Sequence, residues 1–309
     1  MSSGRPGRWR PEREIEIVAG TPPGGGLDRA ARALLGALES NRLLEVAARV
    51  VNVPGDGARK CWAHLDARAG DPHVLAISSA NLTTDRLLGA TRFHHERDFT
   101  PLAILYTEYI AFVVRRDCPL QDGACLIARL AKDAASLTVA LSTSAGNPNH
   151  IALAKVVRHA GAEPRALRIR VFDSALDAVA DTLAGGADLA AVTAASAVEE
   201  LEAGTMRALA VSAPERLAGP YAGTPTWREQ SVDCVIGSWR GVTAARGLAQ
   251  EHVAYWEETL AAAVNSGQWR AQLARLHWTP WYLDGARLRE YLRREAAEAS
   301  AVLKDLALL

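Results

Sequence analysis

Residues 21 to 28 read Thr-Pro-Pro-Gly-Gly-Gly-Leu-Asp, and from Leu27 the apolar residues Ala30, Ala31, Leu34, Leu35 and Leu38 follow at three- and four-residue steps. That spacing predicts one face of a helix. The turn before it has few side chains, so its backbone N–H groups stand free at the positive end of a helix dipole, a geometry suited to a carboxylate or another small anion. Pro22 and Pro23 stiffen the approach, and the glycines let a ligand come close to the backbone. A plain strand–helix turn, with Asp28 in the first helical turn, accounts for the same residues equally well. A second stretch of this kind is Ser142-Thr143-Ser144-Ala145-Gly146-Asn147-Pro148-Asn149-His150, dense in small hydroxyl and amide residues and also feeding a helix. Ser78-Ser79-Ala80-Asn81 is a third polar turn at a helix start.

Other chemistries find little support. His94-His95-Glu96 lacks the spacing of the helical zinc-protease motif and reads as a solvated loop. His150 reads as a structural residue or a donor at a helix start. There is no Gly-x-Ser-x-Gly elbow. Gly24-Gly25-Gly26 lacks the later glycine of a dinucleotide fingerprint, and no phosphate-loop Lys follows it. Cys61, Cys118, Cys125 and Cys234 match no metal or redox spacing; Cys118 and Cys125 are close enough to pair in an oxidising compartment, but buried free thiols are the simpler reading. No cofactor and no metal are expected.

The elements that must position these loops alternate along the chain. Strands are predicted at Ile15 to Val18, Val50 to Val53, Val74 to Ser78, Leu102 to Leu105, Ile110 to Val114, Leu137 to Leu141, Arg168 to Phe172, Asp188 to Val192, Arg207 to Val211 and Val235 to Val242, with helices between most of them. From Leu248 the chain is mostly helical, broken at Asn265-Ser266-Gly267 and Thr279-Pro280-Trp281. Strand–helix alternation argues an α/β architecture with mainly parallel sheets, whose ligands lie beyond the carboxyl ends of the strands. Two α/β lobes facing each other would place both loop sets around one ligand. The chain has 309 residues, 49% of them hydrophobic and 23% charged, and its formal net charge is zero. It is long enough for two domains, and no bulk field points to nucleic acid or an anionic membrane. No apolar run approaches the ~20 residues of a membrane span. The basic N-terminus is followed by no apolar segment, so it is not a signal peptide, and residues 1 to 13 read as a flexible arm.

Seven pieces in register then resemble one family, the substrate-binding receptors of the tripartite tricarboxylate transporters (the Bug-type periplasmic solute receptors). They are Pro22 to Gly26 with Asp28; Asn52 to Gly57; Asp98 to Leu102; Ser144 to Asn147 with His150; Asp181 through Gly185-Gly186 to Asp188; Gly204 to Val211; and Ser238-Trp239. The resemblance implies a two-lobed, type II periplasmic-binding-protein fold with a ligand cleft between the lobes. It would place residues 14–106 plus 237–309 in the first lobe and 107–236 in the second. It also implies a non-enzymatic receptor that closes on a small carboxylated molecule, for transport or sensing, with transporter membrane subunits as partners. The carboxylate grip then maps onto Pro23, Gly24, Gly25 and Leu27 in the first lobe and Ser142, Ser144, Gly146 and Asn147 in the second. Ser79, Asn81, Tyr109 and Trp239 are expected around the same ligand.

Two departures from the family pattern stand out. Phe172-Asp173-Ser174 replaces a Tyr-Lys-Gly, and Arg240 follows Ser238-Trp239 where an aromatic or neutral residue is usual. Asp173 reads either as a helix N-cap or as a cleft carboxylate able to bind an amine or act as a general base. Arg240 reads either as a partner for a surface carboxylate or as a bidentate grip on a second ligand carboxylate. The two could also bridge the lobes. They motivate the alternative of a cytoplasmic lyase, isomerase or decarboxylase on the same scaffold, with Asp173 as acid–base and Arg240 as anion clamp. The setting is periplasmic by resemblance if an export signal was removed, and cytoplasmic if Met1 is the natural start.

Overall fold

The computed structural model describes residues 9–309. In chain order it contains β1 (Ile15–Ala19), α1 (Gly26–Ser40), β2 (Ala48–Asn52), α2 (Arg59–Asp66), β3 (Val74–Ser79), α3 (Asn81–Leu87), the short α4 (His95–Asp98) and the long β4 (Phe99–Arg115). Next come α5 (Gly123–Asp133), β5 (Thr138–Ser142), α6 (Pro148–His159), β6 (Arg168–Phe172), α7 (Ala175–Leu183), β7 (Leu189–Thr193), α8 (Val198–Glu202) and β8 (Met206–Val211). The chain finishes with β9 (Gly237–Ala245), α9 (Gln250–Val264), α10 (Gly267–Arg275), β10 (Thr279–Asp284) and α11 (Gly285–Asp305).

The fold is two-lobed, and β4 joins the two halves. Its first part pairs with β9 as far as Tyr109 opposite Gly237, and with β10. From Ile110 onward it pairs with β7, and from Ala111 with β8. On one side β2, β1 and β3 run parallel; on the other β6, β5 and β7 do. Every antiparallel pair involves β4 or β9, so the expected parallel βαβ units are present but the strands joining the lobes make the sheets mixed. Leu102 to Leu105 and Ile110 to Val114, read as two strands, are one: the residues between them stay extended, with Tyr106, Thr107 and Glu108 buried. Thr279-Pro280-Trp281 does break the helical tail, and it does so as part of β10, between α10 and α11. Pro280 is tolerated because β10 is an edge strand, where a missing N–H breaks no ladder.

Each half has its own core. Ile15, Ile17, Leu34 and Leu38 pack with Trp256, Trp269 and Trp278 in the first. Phe112, Leu126, Val139, Leu153 and Trp227 pack in the second. Each such side chain contributes about 1.5–3 kcal/mol on full burial. The last helix ties the halves together, because Leu303 and Leu306 near its C-terminal end pack on Ile151 and Ala154 of α6. Residues 1–8 of the expected arm lie outside the described residues. Residues 9–13 are held in place: Trp9 packs on His73, His252 and Tyr255, and Arg13 pairs with Asp71 at 2.6 Å.

Candidate functional site

The glycine turn after β1 is organised by Asp28. This carboxylate is 1% exposed, and it accepts hydrogen bonds from the Gly24 amide (2.8 Å), Asn52 Nδ2 (2.8 Å) and Arg32 Nε (2.9 Å). Burial raises its pKa, but these partners outweigh burial and hold it below the ordinary value. The Gly25 amide is bonded to the Pro22 carbonyl, and the Asp28 amide to Thr21 Oγ1. Two of the donors expected for an anion are therefore occupied by the turn itself. The amides of Gly26 and Leu27, the first two residues of α1, have no acceptor among the described residues. They are the ordinary orphan donors of a helix N-terminus.

The loop after β5 is built in the same way. Asn147 caps α6 by accepting from the His150 amide (3.1 Å), and Pro148 occupies the first helical position, where its missing N–H costs nothing. The Gly146 amide donates to His150 Nδ1 at 2.9 Å, and burial pushes this imidazole down to about 4. Asn147 Nδ2 donates to the Ser142 carbonyl (2.6 Å), and Asn149 Nδ2 to Ser142 Oγ (2.9 Å). Thr143 sits in the left-handed region at φ 64°. Its hydroxyl accepts from Asn81 Nδ2 across the cleft at 2.6 Å and donates to the Ser142 carbonyl.

These loops meet. A Cβ added at Gly57, in the loop before α2, would lie 2.4 Å from the Thr143 carbonyl, and one at Gly146 would lie 2.2 Å from Leu88. Asp85, 1% exposed on α3, lies 3.6 Å from Arg59 Nη1 and against Ser144 without a well-aligned hydrogen bond. Burial raises its pKa, against the lowering influence of Ser144 and Arg59. Arg29 on α1 also reaches over, donating to Ser196 Oγ at 2.7 Å.

Between the loops lies a polar cavity of about 30 Å³. Thr21, Gly26, Leu27, Ser79, Asn81, Ser238 and Arg240 line it from the first half, and Ser142, Thr143, Asn147, Asn149, Ala175 and Thr193 from the second. That volume admits about one or two waters, so a ligand of several carbons needs the lobes to part or a side chain to swing aside. Arg240 is 8% exposed. Its Nη2 lies 2.8 Å from Glu108 Oε1, and its Nη1 donates to Ser238 Oγ (2.7 Å) and the Trp239 carbonyl (3.0 Å). A Cβ added at Gly26 would lie 3.6 Å from the same Nη2, so the guanidinium faces the free end of α1.

Of the sequence-predicted residues, Leu27, Ser79, Asn81, Ser142, Asn147 and Arg240 line this cavity. Gly24, Gly25, Ser144 and Gly146 shape the loops from behind, and a Cβ added at Gly24 would lie 3.3 Å from Leu176 of α7. Pro23 is exposed. Asp173 is also exposed; the cap of α7 is Ser174, which accepts from the Asp177 amide at 3.2 Å. Tyr109 and Trp239 line a different groove with Trp281 and Tyr291. Strand alternation explains Trp239: Ser238 and Arg240 point to the cavity, so Trp239 points away, and its indole N–H donates to Glu295 on α11. His95 is not on a solvated loop. It is buried beside Trp62 and Trp239, and burial pushes its pKa down to about 4. The cysteines are all unpaired.

Sequence reasoning missed Gly26, Thr21, Ser238, Thr193, Asn149 and Glu108. Counting back from the helical spacing would have found Gly26, and alternation from Arg240 would have found Ser238. Nothing local marked Glu108.

The sequence is 28% identical over 265 residues to a UPF0065 protein in the tcbD-tcbE intergenic region of Pseudomonas sp. (strain P51), covering 82% of this chain and 74% of that one. A TctC solute binding protein from Polaromonas is similar in structure, with a TM-score of 0.65, 27% identity and coverage of 96% and 99% of the two chains. An R. palustris protein with adipate has a TM-score of 0.85 at 22% identity, covering 96% and 98%. The profile of the tripartite tricarboxylate transporter family receptor matches residues 39–308, from the end of α1 to the C-terminus. A match of that extent, on a two-lobed fold with loops converging on one polar cleft, means that the chain belongs to the tripartite tricarboxylate transporter receptor family.

Proposed function

We propose that this chain is a solute receptor whose lobes close on a small carboxylated molecule. The observation that carries this reading is the pairing of two free amides, Gly26 and Leu27, with the buried guanidinium of Arg240 facing them from β9. A carboxylate between them would accept from the helix N-terminus and from Arg240. Ser79, Asn81, Ser142, Asn147 and Asn149 add neutral donors and acceptors from both lobes, each worth about 1 kcal/mol net. The R. palustris neighbour with adipate is consistent with a carboxylate. In this reading residues 14–106 plus 237–309 act as one lobe and 107–236 as the other. In support, the strands other than β4 fall cleanly on one side or the other of these boundaries. Membership of a transporter receptor family supports delivery of the ligand to membrane subunits, in the periplasm. Among the described residues no helix is long and apolar enough to cross a membrane.

The enzyme reading needed Asp173 beside Arg240. Asp173 is exposed and outside the cavity lining, so no observation favours it. The test is a thermal-shift screen, followed by calorimetry, over mono-, di- and tricarboxylates. Saturable stabilisation by at least one carboxylate, lost in Arg240→Ala, is expected. Silence across the panel from folded protein would refute the reading.

A further inference from the structure

Behind the cavity, where β4 and β9 run side by side, polar groups are buried without full partners. Glu108 is 1% exposed, and neither of its carboxylate oxygens accepts a well-aligned hydrogen bond, although Oε1 lies 2.8 Å from Arg240. Arg240 Nε and the Tyr106 hydroxyl are likewise unpartnered. Register places all three together. Glu108 is directly opposite Ser238 and Tyr106 opposite Arg240, and opposed residues of an antiparallel pair share a sheet face. Since Ser238 and Arg240 line the cavity, Glu108 lies on the cavity side of the sheet. Buried polar groups in native proteins are nearly always satisfied, so a ligand donor that reached Glu108 would find an acceptor there.

The charges narrow the ligand further. Among the lining residues Arg240 is the only formal charge, and Glu108 offsets it. Asp28 is already committed to Arg32, Asn52 and the Gly24 amide. Partial positive charge also comes from the N-termini of α6 and α7, at Asn147 and Ala175 in the second lobe, while that of α1, beside Arg240, suits one carboxylate. A second carboxylate reaching the far end would meet Glu108 without a further cation to offset it. A nitrogen donor reaching the same place would satisfy the free oxygen of Glu108.

Building on the carboxylate-receptor reading, we infer that Glu108 selects the distal end of the ligand: the preferred solute is a monocarboxylate carrying a nitrogen donor, as an ammonium or carboxamide, rather than a second carboxylate. Glu108 holds Arg240 toward the ligand carboxylate and accepts from the ligand nitrogen.

The test is calorimetry on the full chain with matched series of four and five carbons: butyrate, succinate, 4-aminobutyrate and succinamate, then pentanoate, glutarate, 5-aminopentanoate and glutaramate. The inference expects a nitrogen-bearing member to bind at least tenfold more tightly than the dicarboxylate of equal length. The ammonium and carboxamide arms show which donor is read. Glu108→Gln should remove most of that preference, read as the ratio of the two Kd values within the variant. A dicarboxylate that binds as well as its nitrogen analogue in the native protein overturns the inference while leaving the receptor reading intact, and that comparison needs no variant. Binding by no member overturns this inference, and the receptor reading falls as well only if the wider carboxylate screen is also silent.

Discussion

Gly57→Ala should weaken ligand binding without unfolding either lobe. Gly57 has φ 60°, and an added Cβ would lie 2.4 Å from the Thr143 carbonyl, against a floor of 3.0 Å for real Cβ contacts. The two loops must therefore separate by at least the difference, 3.0 − 2.4 = 0.6 Å. That movement stretches the 2.6 Å Asn81–Thr143 hydrogen bond and draws Ser144 away from Asp85. One neutral hydrogen bond is worth about 1 kcal/mol, and an overpacked methyl costs about 1–3 kcal/mol. The closed form should lose about 2–4 kcal/mol, a roughly 30- to 700-fold rise in Kd. The strain of Ala at positive φ, about 1 kcal/mol, acts in open and closed forms alike and so appears in Tm rather than in Kd. Calorimetry with the best carboxylate from the screen, with small-angle scattering on the same samples, reads both effects. A Kd within twofold of the native value, with unchanged closure, would refute the claim that these loops meet when the cleft closes.

Other outcomes follow from the buried charges. Burial raises Glu295, bonded to Trp239 and Tyr291, to about 7, above its ordinary 4.5. Its proton is held more tightly in the folded state, so the stability this gives is fully present below about pH 4.5 and is lost as pH rises to about 7. Glu295→Gln should flatten that slope and gain about 1–3 kcal/mol at pH 8, measured by urea unfolding. His95 and His150 run the other way: both fall from 6.5 to about 4, so their contribution is intact above pH 6.5 and is lost on acidification toward pH 4. His95→Gln and His150→Gln should each reduce the drop in Tm between pH 7 and 5, and an unchanged drop would contradict their buried, neutral state. Asp28→Ala strands Arg32, Asn52 and the Gly24 amide; it should cost about 2–4 kcal/mol in urea unfolding and weaken carboxylate binding.

Much of the fold was legible because local pattern and tertiary role agree. Ile15, Ile17 and Val18, followed by the glycine turn and the three- and four-residue spacing from Leu27, describe β1 and α1 well. Sequence failed where a distant partner decides the outcome. The Gly24 amide looked free for a ligand, but Asp28 folds back onto it, a contact fixed by the turn's shape and by Asn52 on the next strand. The reading of two strands leaves residues 106–109 between them; Arg240, far along the chain, is what lets Glu108 stay buried mid-strand. His94-His95-Glu96 looked solvated, and only the packing of Trp62 and Trp239 shows that His95 is enclosed. Trp239 was legible in principle, since alternation with Ser238 and Arg240 assigns it to the opposite face.

The central claim is that a ligand carboxylate sits on the free N-terminus of α1, opposite Arg240. The most direct measurement is amide NMR during titration with the best carboxylate from the screen, following the Gly26 and Leu27 N–H signals in native protein and in Arg240→Ala. Saturable downfield shifts of both amides at the Kd found by calorimetry, with Gly24 and Gly25 nearly unmoved, are predicted. Saturating ligand that leaves Gly26 and Leu27 in place while other amides shift would contradict the account.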